Sequence, residues 1–324
     1  MIFFHDDFDL LFDFLMFKAS FKYYKSKSPP PCLKEVLDID QTKELLEKSV
    51  LKQIHIICQD KLWKTFGMKS PENWEVFELI DHPGLIYIKN PYTNSGQKYW
   101  VIRSLRDFSK TPNKRNIDAL GIVSENWWES AKNDKKTLMM LRWTTLGYHH
   151  NWDTKIYSED NKGKFPEDLK NMTKFIAGLL GFEDFSAEAA IVNYYHMDST
   201  LSGHSDQSEQ YLEAPLFSFS FGQSAIFLLG GITEEEKPTA MFLKSGDIIV
   251  MSGKSRLSYH GVPKIVQTEL KLGDEIGDEN CNQNALCMDE DNWKPFSDYI
   301  AHSRINVNVR QVLRKGLLKL DDQI

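Results

Sequence analysis

Cysteine is scarce. The chain holds 4 in 324 residues, Cys32, Cys58, Cys281 and Cys287, and their spacing suits neither a zinc site nor a disulfide framework. Such sparsity fits a reducing compartment. Long apolar runs are missing too; none approaches the roughly 20 residues that cross a bilayer, so no membrane association is expected. Positive charge is not in excess. The net charge is −7, which excludes nucleic-acid binding by bulk charge and leaves only a local patch. The N-terminus has no basic stretch of the kind that opens a signal peptide. Asp6, Asp7, Asp9 and Asp13 also make it too acidic for a mitochondrial presequence. What is present is 41% hydrophobic and 26% charged residues, the composition of a soluble globular protein with a full core.

Phe8, Leu11, Phe12, Leu15 and Met16 recur at helical spacing and predict an N-terminal helix packed on the protein's own core. KSKSPPPC, residues 25–32, reads as an extended linker. A short helix is expected over 42–48, then a turn and strand in HPGLIYIKNPYT, then a helix in GQKYWVIRSLRDFSK. That helix and its tail carry Arg103, Arg106, Lys110, Lys114 and Arg115, a solvated basic face or a phosphate-contact patch. Ser124 is a candidate cap for a helix through Trp127 and Trp128. Pro166 opens another helix, with Leu169, Met172, Phe175 and Ile176 on one face and Gly181 past its end.

From there the chain is strand-rich. AEAAIVNYY, LFSFSFGQSAIFLL, KPTAMFL, DIIVMSG and RINVNVR are strand-length and apolar or alternating. Phe217, Phe219 and Phe221 share one face, with Ser218 and Ser220 on the other. Many short strands with Gly-containing turns predict an α+β fold, mainly β, with a double-stranded β-helix (jelly roll) core. Three segments are expected: an N-terminal helical extension and linker over 1–75, a middle segment with supporting helices over 76–180, and the jelly-roll core over 181–324. An acidic, low-order insert, GDEIGDENCNQNALCMDEDN, precedes a helix from Trp293 to His302.

The chemistry gathers around His204-Ser205-Asp206. In an extended chain, residues two apart point to one side, so an imidazole and a carboxylate meet. That is two-thirds of the two-histidine, one-carboxylate set that holds Fe(II) on one face. His260, in RLSYHGVPKI, is the candidate third ligand. RINVNVR alternates strictly: Ile305, Val307 and Val309 face one way, Arg304, Asn306, Asn308 and Arg310 the other. Guanidinium forks grip carboxylates, so this polar face suits a dicarboxylate. His196 and Asp198 read as loop groups, and Glu209 as solvent-facing.

Asn193 and Tyr195 upstream of the H-x-D, the distal histidine and R-x-N-x-x-x-R together resemble the AlkB family of Fe(II)/2-oxoglutarate dioxygenases, and GYHHNWD and PTAMFLKSGDIIVMSG resemble one branch of it. The resemblance spans roughly residues 75–313. It implies Fe(II) on His204, Asp206 and His260, with 2-oxoglutarate and O2 as co-substrates. It implies a 2-oxoglutarate site built from Asn193, Tyr194, Tyr195, Arg304, Asn306 and Arg310; which arginine meets which carboxylate is left open. It implies that the 76–180 segment is a nucleotide-recognition lid with supporting helices, with Tyr148, His149, His150, Asn151, Trp152 and Tyr157 facing the base, since aromatic faces stack on an extruded base. Oxidative demethylation would follow, on N1-methyladenine in transfer RNA or N6-methyladenine in single-stranded or unpaired DNA, releasing formaldehyde, succinate and CO2. A monomer in the nucleus or mitochondrion is the companion expectation. Ser208 stands where the bacterial founder of the family has an acidic residue that reads the base amine. Three other readings compete: a methyl-lysine demethylase, a binding module without turnover, and a lyase using Lys135, Lys136 or Lys155 as a Schiff-base nucleophile.

Overall fold

The computed structural model describes residues 16–270, 272–273 and 290–320. The apolar stripe at Phe8, Leu11, Phe12 and Leu15, the cysteines 281 and 287, and nearly all of the acidic insert lie outside the described residues.

The strands are β1 (Leu51–Ile54), β2 (Glu75–Leu79), β3 (Leu85–Lys89), β4 (Lys114–Arg115), β5 (Trp143–Gly147), β6 (Ala189–His196), β7 (Leu201–His204), β8 (Leu216–Gly222), β9 (Ser224–Leu229), β10 (Thr239–Leu243), β11 (Ile248–Met251), β12 (His260–Val266) and β13 (Ser303–Arg310). The helices are α1 (Met16–Lys25), α2 (Thr42–Glu47), α3 (Asn94–Ile102), α4 (Trp127–Ala131), α5 (Lys135–Leu138), α6 (Glu167–Leu179) and α7 (Glu290–Ile300). Two sheets face each other, in the orders β1-β2-β3-β11-β8-β13-β6-β5-β4 and β10-β9-β12-β7. This is the expected α+β jelly roll. The larger sheet takes strands from all three segments drawn in the sequence, so the boundaries at 75 and 180 do not divide it.

Alternation explains how one strand serves both core and site. On β13, Ile305, Val307 and Val309 pack with Phe217, Phe219 and Phe221 of β8. Each such buried side chain contributes roughly 1.5–3 kcal/mol. Arg304, Asn306, Asn308 and Arg310 face a cavity between the sheets. The chain crosses from the larger to the smaller sheet at Gly222, whose φ is +80° and where a Cβ would stand 2.4 Å from the Ser303 carbonyl oxygen. Gln223 fastens this corner. Its Nε2 donates to the carbonyls of Ile300 and Ala301 at 3.1 and 3.0 Å, and its Oε1 accepts from the Thr268 N–H at 2.7 Å.

The helices lie outside the sheets. α6 starts after Pro166, buries Leu169, Met172 and Ile176, and ends before Gly181 at φ +85°. Asn126, not Ser124, caps α4 by accepting from the Glu129 N–H. α1 lies behind the smaller sheet, where Phe17 meets Tyr259 edge-on at 4.8 Å. The basic stretch after α3 is spent on internal pairs. Arg103 grips Asp168 at 2.6 and 3.0 Å and Asp107 at 2.7 Å. Arg106 also pairs with Asp107, and buried Arg115 with Asp118. These arginines are held by carboxylates and do not form a free phosphate-binding face.

Candidate metal centre and co-substrate pocket

β7 and β12 are antiparallel neighbours, and His204 is the cross-strand partner of His260. Their rings lie 4.4 Å apart, centre to centre. Just past the end of β7, Asp206 turns back toward them. Its Oδ1 lies 3.9 Å from His204 Nε2 and its Oδ2 3.8 Å from His260 Nε2. One ligand atom from each of the three lies within 4.8 Å of the others.

Local hydrogen bonds fix which imidazole nitrogen is free. His204 Nδ1 donates to the Ser202 carbonyl at 2.9 Å, and His260 Nδ1 to the Ser258 carbonyl at 3.0 Å. Each Nε2 therefore keeps a lone pair aimed at the carboxylate, as metal-ligating histidines require. Burial, then the nearby His204, lowers the pKa of His260 to about 4, so its ring is neutral at pH 7. Burial works against the charge on Asp206, but Arg310 first and the two imidazoles next outweigh it and hold its carboxyl below the usual carboxylate range. Two imidazoles whose Nε2 atoms converge on one carboxylate make a donor set that suits Fe(II).

These residues line a cavity of about 460 Å3 shared with Asn193, Tyr195, Arg304, Asn306, Asn308 and Arg310. The two arginines differ. Arg310 Nη2 donates to Asp206 Oδ2 at 2.8 Å and its Nη1 to Glu209 Oε1 at 3.2 Å. Arg304 is 1% exposed, yet among the described residues no carboxylate lies within ion-pair distance of it. Its Nη2 donates to Ser220 Oγ at 2.8 Å, its Nη1 reaches the Leu243 carbonyl at 3.3 Å, and its Nε has no partner. Burial lowers its pKa to about 10. A buried guanidinium without a counter-ion is costly unless an anion enters. A dicarboxylate therefore fits this cavity. Asn306 Nδ2 is held by Ser218 Oγ at 2.8 Å, so the serines of β8 brace the polar face of β13.

Other predicted residues are not brought to the cavity. Tyr194 points into the opposite core, where its hydroxyl donates to the Ser104 carbonyl at 2.6 Å, because neighbours on β6 face opposite ways. Tyr148 is buried against Tyr157 and bonded to Glu159, with Lys162 Nζ 4.0 Å above its ring. His149 is buried with Nδ1 at 2.9 Å from Thr145 Oγ1. Asn151 builds its own loop, its Oδ1 accepting from the N–H groups of Asp153 and Thr154 at 2.9 and 3.0 Å. Tyr157 lies behind the cavity, its hydroxyl donating to Glu209 Oε1 at 3.2 Å. Of the lid set, His150 and Trp152 line the cavity, joined by Lys155. Lys135 lines a separate cleft with His196 and Tyr299.

Glu209 corrects the sequence reading most sharply. It is buried, not solvent-facing, and Arg256 Nη2 donates to its Oε2 at 2.9 Å. Arg256 also donates to the carbonyls of Asp206 and Ala214, at 2.8 and 3.0 Å. No pattern in the sequence marked Arg256; only its place four residues before His260 could have drawn notice.

The sequence profile of the 2OG-Fe(II) oxygenase superfamily matches residues 84–310. The nucleic acid dioxygenase ALKBH1 of Homo sapiens is 37% identical, over 92% of this chain and 84% of that one. The DNA N(6)-methyladenine demethylase ALKBH1A of Arabidopsis thaliana is 31% identical over 73% of this chain and 77% of its own. The tRNA demethylase abh1 of Schizosaccharomyces pombe is 33% identical over 73% and 82%. The oxygenases of this superfamily use Fe(II), 2-oxoglutarate and O2. Among the described residues no helix is long and apolar enough to cross a membrane. With the profile covering β3 to β13 and such likeness along most of its length, the chain belongs to the 2OG-Fe(II) oxygenase superfamily and, within it, to the AlkB family of dioxygenases.

Proposed function

We propose that the protein is an Fe(II)- and 2-oxoglutarate-dependent dioxygenase that removes N-methyl groups from bases in nucleic acid. One observation carries the reading: a buried arginine with no counter-ion among the described residues, Arg304, shares a cavity with a converging His–Asp–His cluster. In this reading His204, Asp206 and His260 hold the iron through Nε2, a carboxylate oxygen and Nε2. Arg304 pairs with the far carboxylate of 2-oxoglutarate, with Tyr195 beside it. Arg310, Asn193 and Asn306 stand at the iron-side carboxylate. Bound together, iron and 2-oxoglutarate supply C–H hydroxylation by O2, with succinate and CO2 released; a hydroxylated N-methyl group then falls away as formaldehyde.

The protein's own part is position and dryness. The paired β7 and β12 fix the imidazoles, and β13 presents both arginines on one wall. At the mouth, Trp152 is 46% exposed, stands 5.2 Å from Trp143 and meets His150 edge-on at 4.8 Å. Such faces take an unstacked base, at a cost of a few kcal/mol for leaving the helix. The relatives named for DNA N(6)-methyladenine and for tRNA support a nucleic-acid substrate over methyl-lysine. A monomer, and a nuclear or mitochondrial location, complete the reading by resemblance. The test is anaerobic loading with Fe(II) and 2-oxoglutarate, then O2 and a panel of N1-methyladenine RNA, N6-methyladenine DNA and methyl-lysine peptide. Formaldehyde from an oligonucleotide is expected; formaldehyde from the peptide alone would overturn the nucleic-acid reading.

A further inference from the structure

Behind the metal cluster lies a closed set of four charges: Asp206, Glu209, Arg256 and Arg310. Arg310 bridges the two carboxylates, at 2.8 Å to Asp206 and 3.2 Å to Glu209. Arg256 pairs with Glu209 at 2.9 Å and pins the backbone of Asp206. The carboxylate of Glu209 is wholly buried, so its charge has no solvent to rest in and belongs to this set alone.

The arrangement has a consequence for any cation bound by Asp206. Arg310 competes with that cation for the same carboxylate. Two carboxylates and two guanidiniums make the set neutral. Without the charge of Glu209 the set would carry one net positive charge, and Arg310 would lean wholly on Asp206. Tyr157 adds a hydroxyl donor to Glu209 Oε1, so the lid segment is tied to the same carboxylate.

Resting on the metal site proposed above, we propose that Glu209 is a positioning residue: it draws Arg310 off Asp206, leaving the oxygens of that carboxylate turned toward a divalent ion. Glu209 does not touch the ion or the substrate. It acts through Arg310, with Arg256 as its own counter-ion and Tyr157 as a hydrogen-bond donor.

The test uses the full chain and Mn(II) as a non-reactive probe, with free Mn(II) read by electron paramagnetic resonance. Glu209→Gln keeps the shape and removes the charge. Its Mn(II) dissociation constant is expected to rise about tenfold, the low end of what orienting partners of metal ligands contribute. Binding of 2-oxoglutarate to the Mn(II)-saturated variant, by calorimetry, should weaken less than Mn(II) binding does, because Arg304 is untouched and only Arg310 shifts. A general loosening of the cavity would weaken both equally, and that result overturns the proposal, as does Mn(II) affinity equal to wild type. Tyr157→Phe removes one hydroxyl and no charge, so it remains informative if Glu209→Gln folds poorly. It should weaken Mn(II) about threefold, one modest hydrogen bond's worth, and no change in it overturns the proposal. A wild-type protein that binds no Mn(II), or a His204→Ala variant that binds it equally well, overturns the metal reading and this inference with it.

Discussion

His204 and His260 face each other as direct partners across β7 and β12. Two residues far apart in sequence thus become neighbours through backbone pairing alone, and their free Nε2 atoms converge on Asp206 without any loop having to close. Removing any member should end metal-dependent turnover. His260→Ala or Asp206→Ala is expected to lower substrate-dependent succinate formation more than about 100-fold, since even partners of ligands are worth 10- to 100-fold. Circular dichroism should be unchanged, and residual turnover near wild type would sink the assignment.

Arg304 is expected to decide co-substrate affinity. Arg304→Met should raise the KM for 2-oxoglutarate by about 100-fold or more, the equivalent of the roughly 3–5 kcal/mol that losing one partner of a buried pair costs. Without co-substrate the same variant should melt no lower than wild type, because an unpaired buried charge has been removed. A KM within a few-fold of wild type would assign the far carboxylate elsewhere.

Trp152 should govern the nucleic-acid substrate and not the co-substrate. Trp152→Ala is expected to weaken binding of a methylated oligonucleotide by about 1–3 kcal/mol, the value of one stacked base. The KM for 2-oxoglutarate should stay as it is. Equal oligonucleotide affinity would place the base elsewhere in the mouth.

Asp247 gives a pH-dependent contribution. Burial raises its carboxyl pKa to about 6, although Tyr87 and the N–H groups of Lys244 and Asn90 bond to it. A raised carboxyl favours the folded state when protonated, so its contribution is full below about pH 4 and is lost as pH rises through 6. Relative to Asp247→Asn, the wild type should lose about 2 kcal/mol of unfolding free energy between pH 4 and 7. Denaturant titrations of both proteins across that range measure the difference, and parallel curves would contradict the burial argument.

Gly203 precedes a proposed ligand, and a Cβ there would lie 2.4 Å from the Tyr259 ring and 2.6 Å from Phe17. Gly203→Ala should cost about 1–3 kcal/mol by overpacking. It should also weaken Mn(II) binding, because α1 and β7 would be pushed apart beside His204. Unaltered melting would mean the rings of Phe17 and Tyr259 yield freely.

The parts of the site legible in the sequence are those governed by strand periodicity. R-x-N-x-x-x-R places its polar side chains on one face of β13, H-x-D marked His204 and Asp206 although Asp206 reaches the cavity by turning back past the end of β7, and the Phe/Ser alternation of β8 foretold its two faces. The lid was misread where the backbone leaves that rule. Asn151 spends its side chain on a local turn, and Tyr148 folds under it, matters set by loop closure and not by spacing. Glu209 and Arg256 were missed because ionisable residues in a polar-looking segment read as solvated; only a partner from a distant strand makes their burial possible. Tyr194 failed for a simpler reason: next to Tyr195 on one strand, it had to face away.

The two-residue rhythm of β13 makes this strand intolerant of any change in length. One residue gained or lost between Arg304 and Arg310 would put the two guanidiniums on opposite faces, driving one into the aromatic interior and turning the valines or isoleucine on its side toward the cavity. Substitutions along this strand can be absorbed one at a time; an indel there would cost the enzyme its folded interior and its diacid grip in the same event.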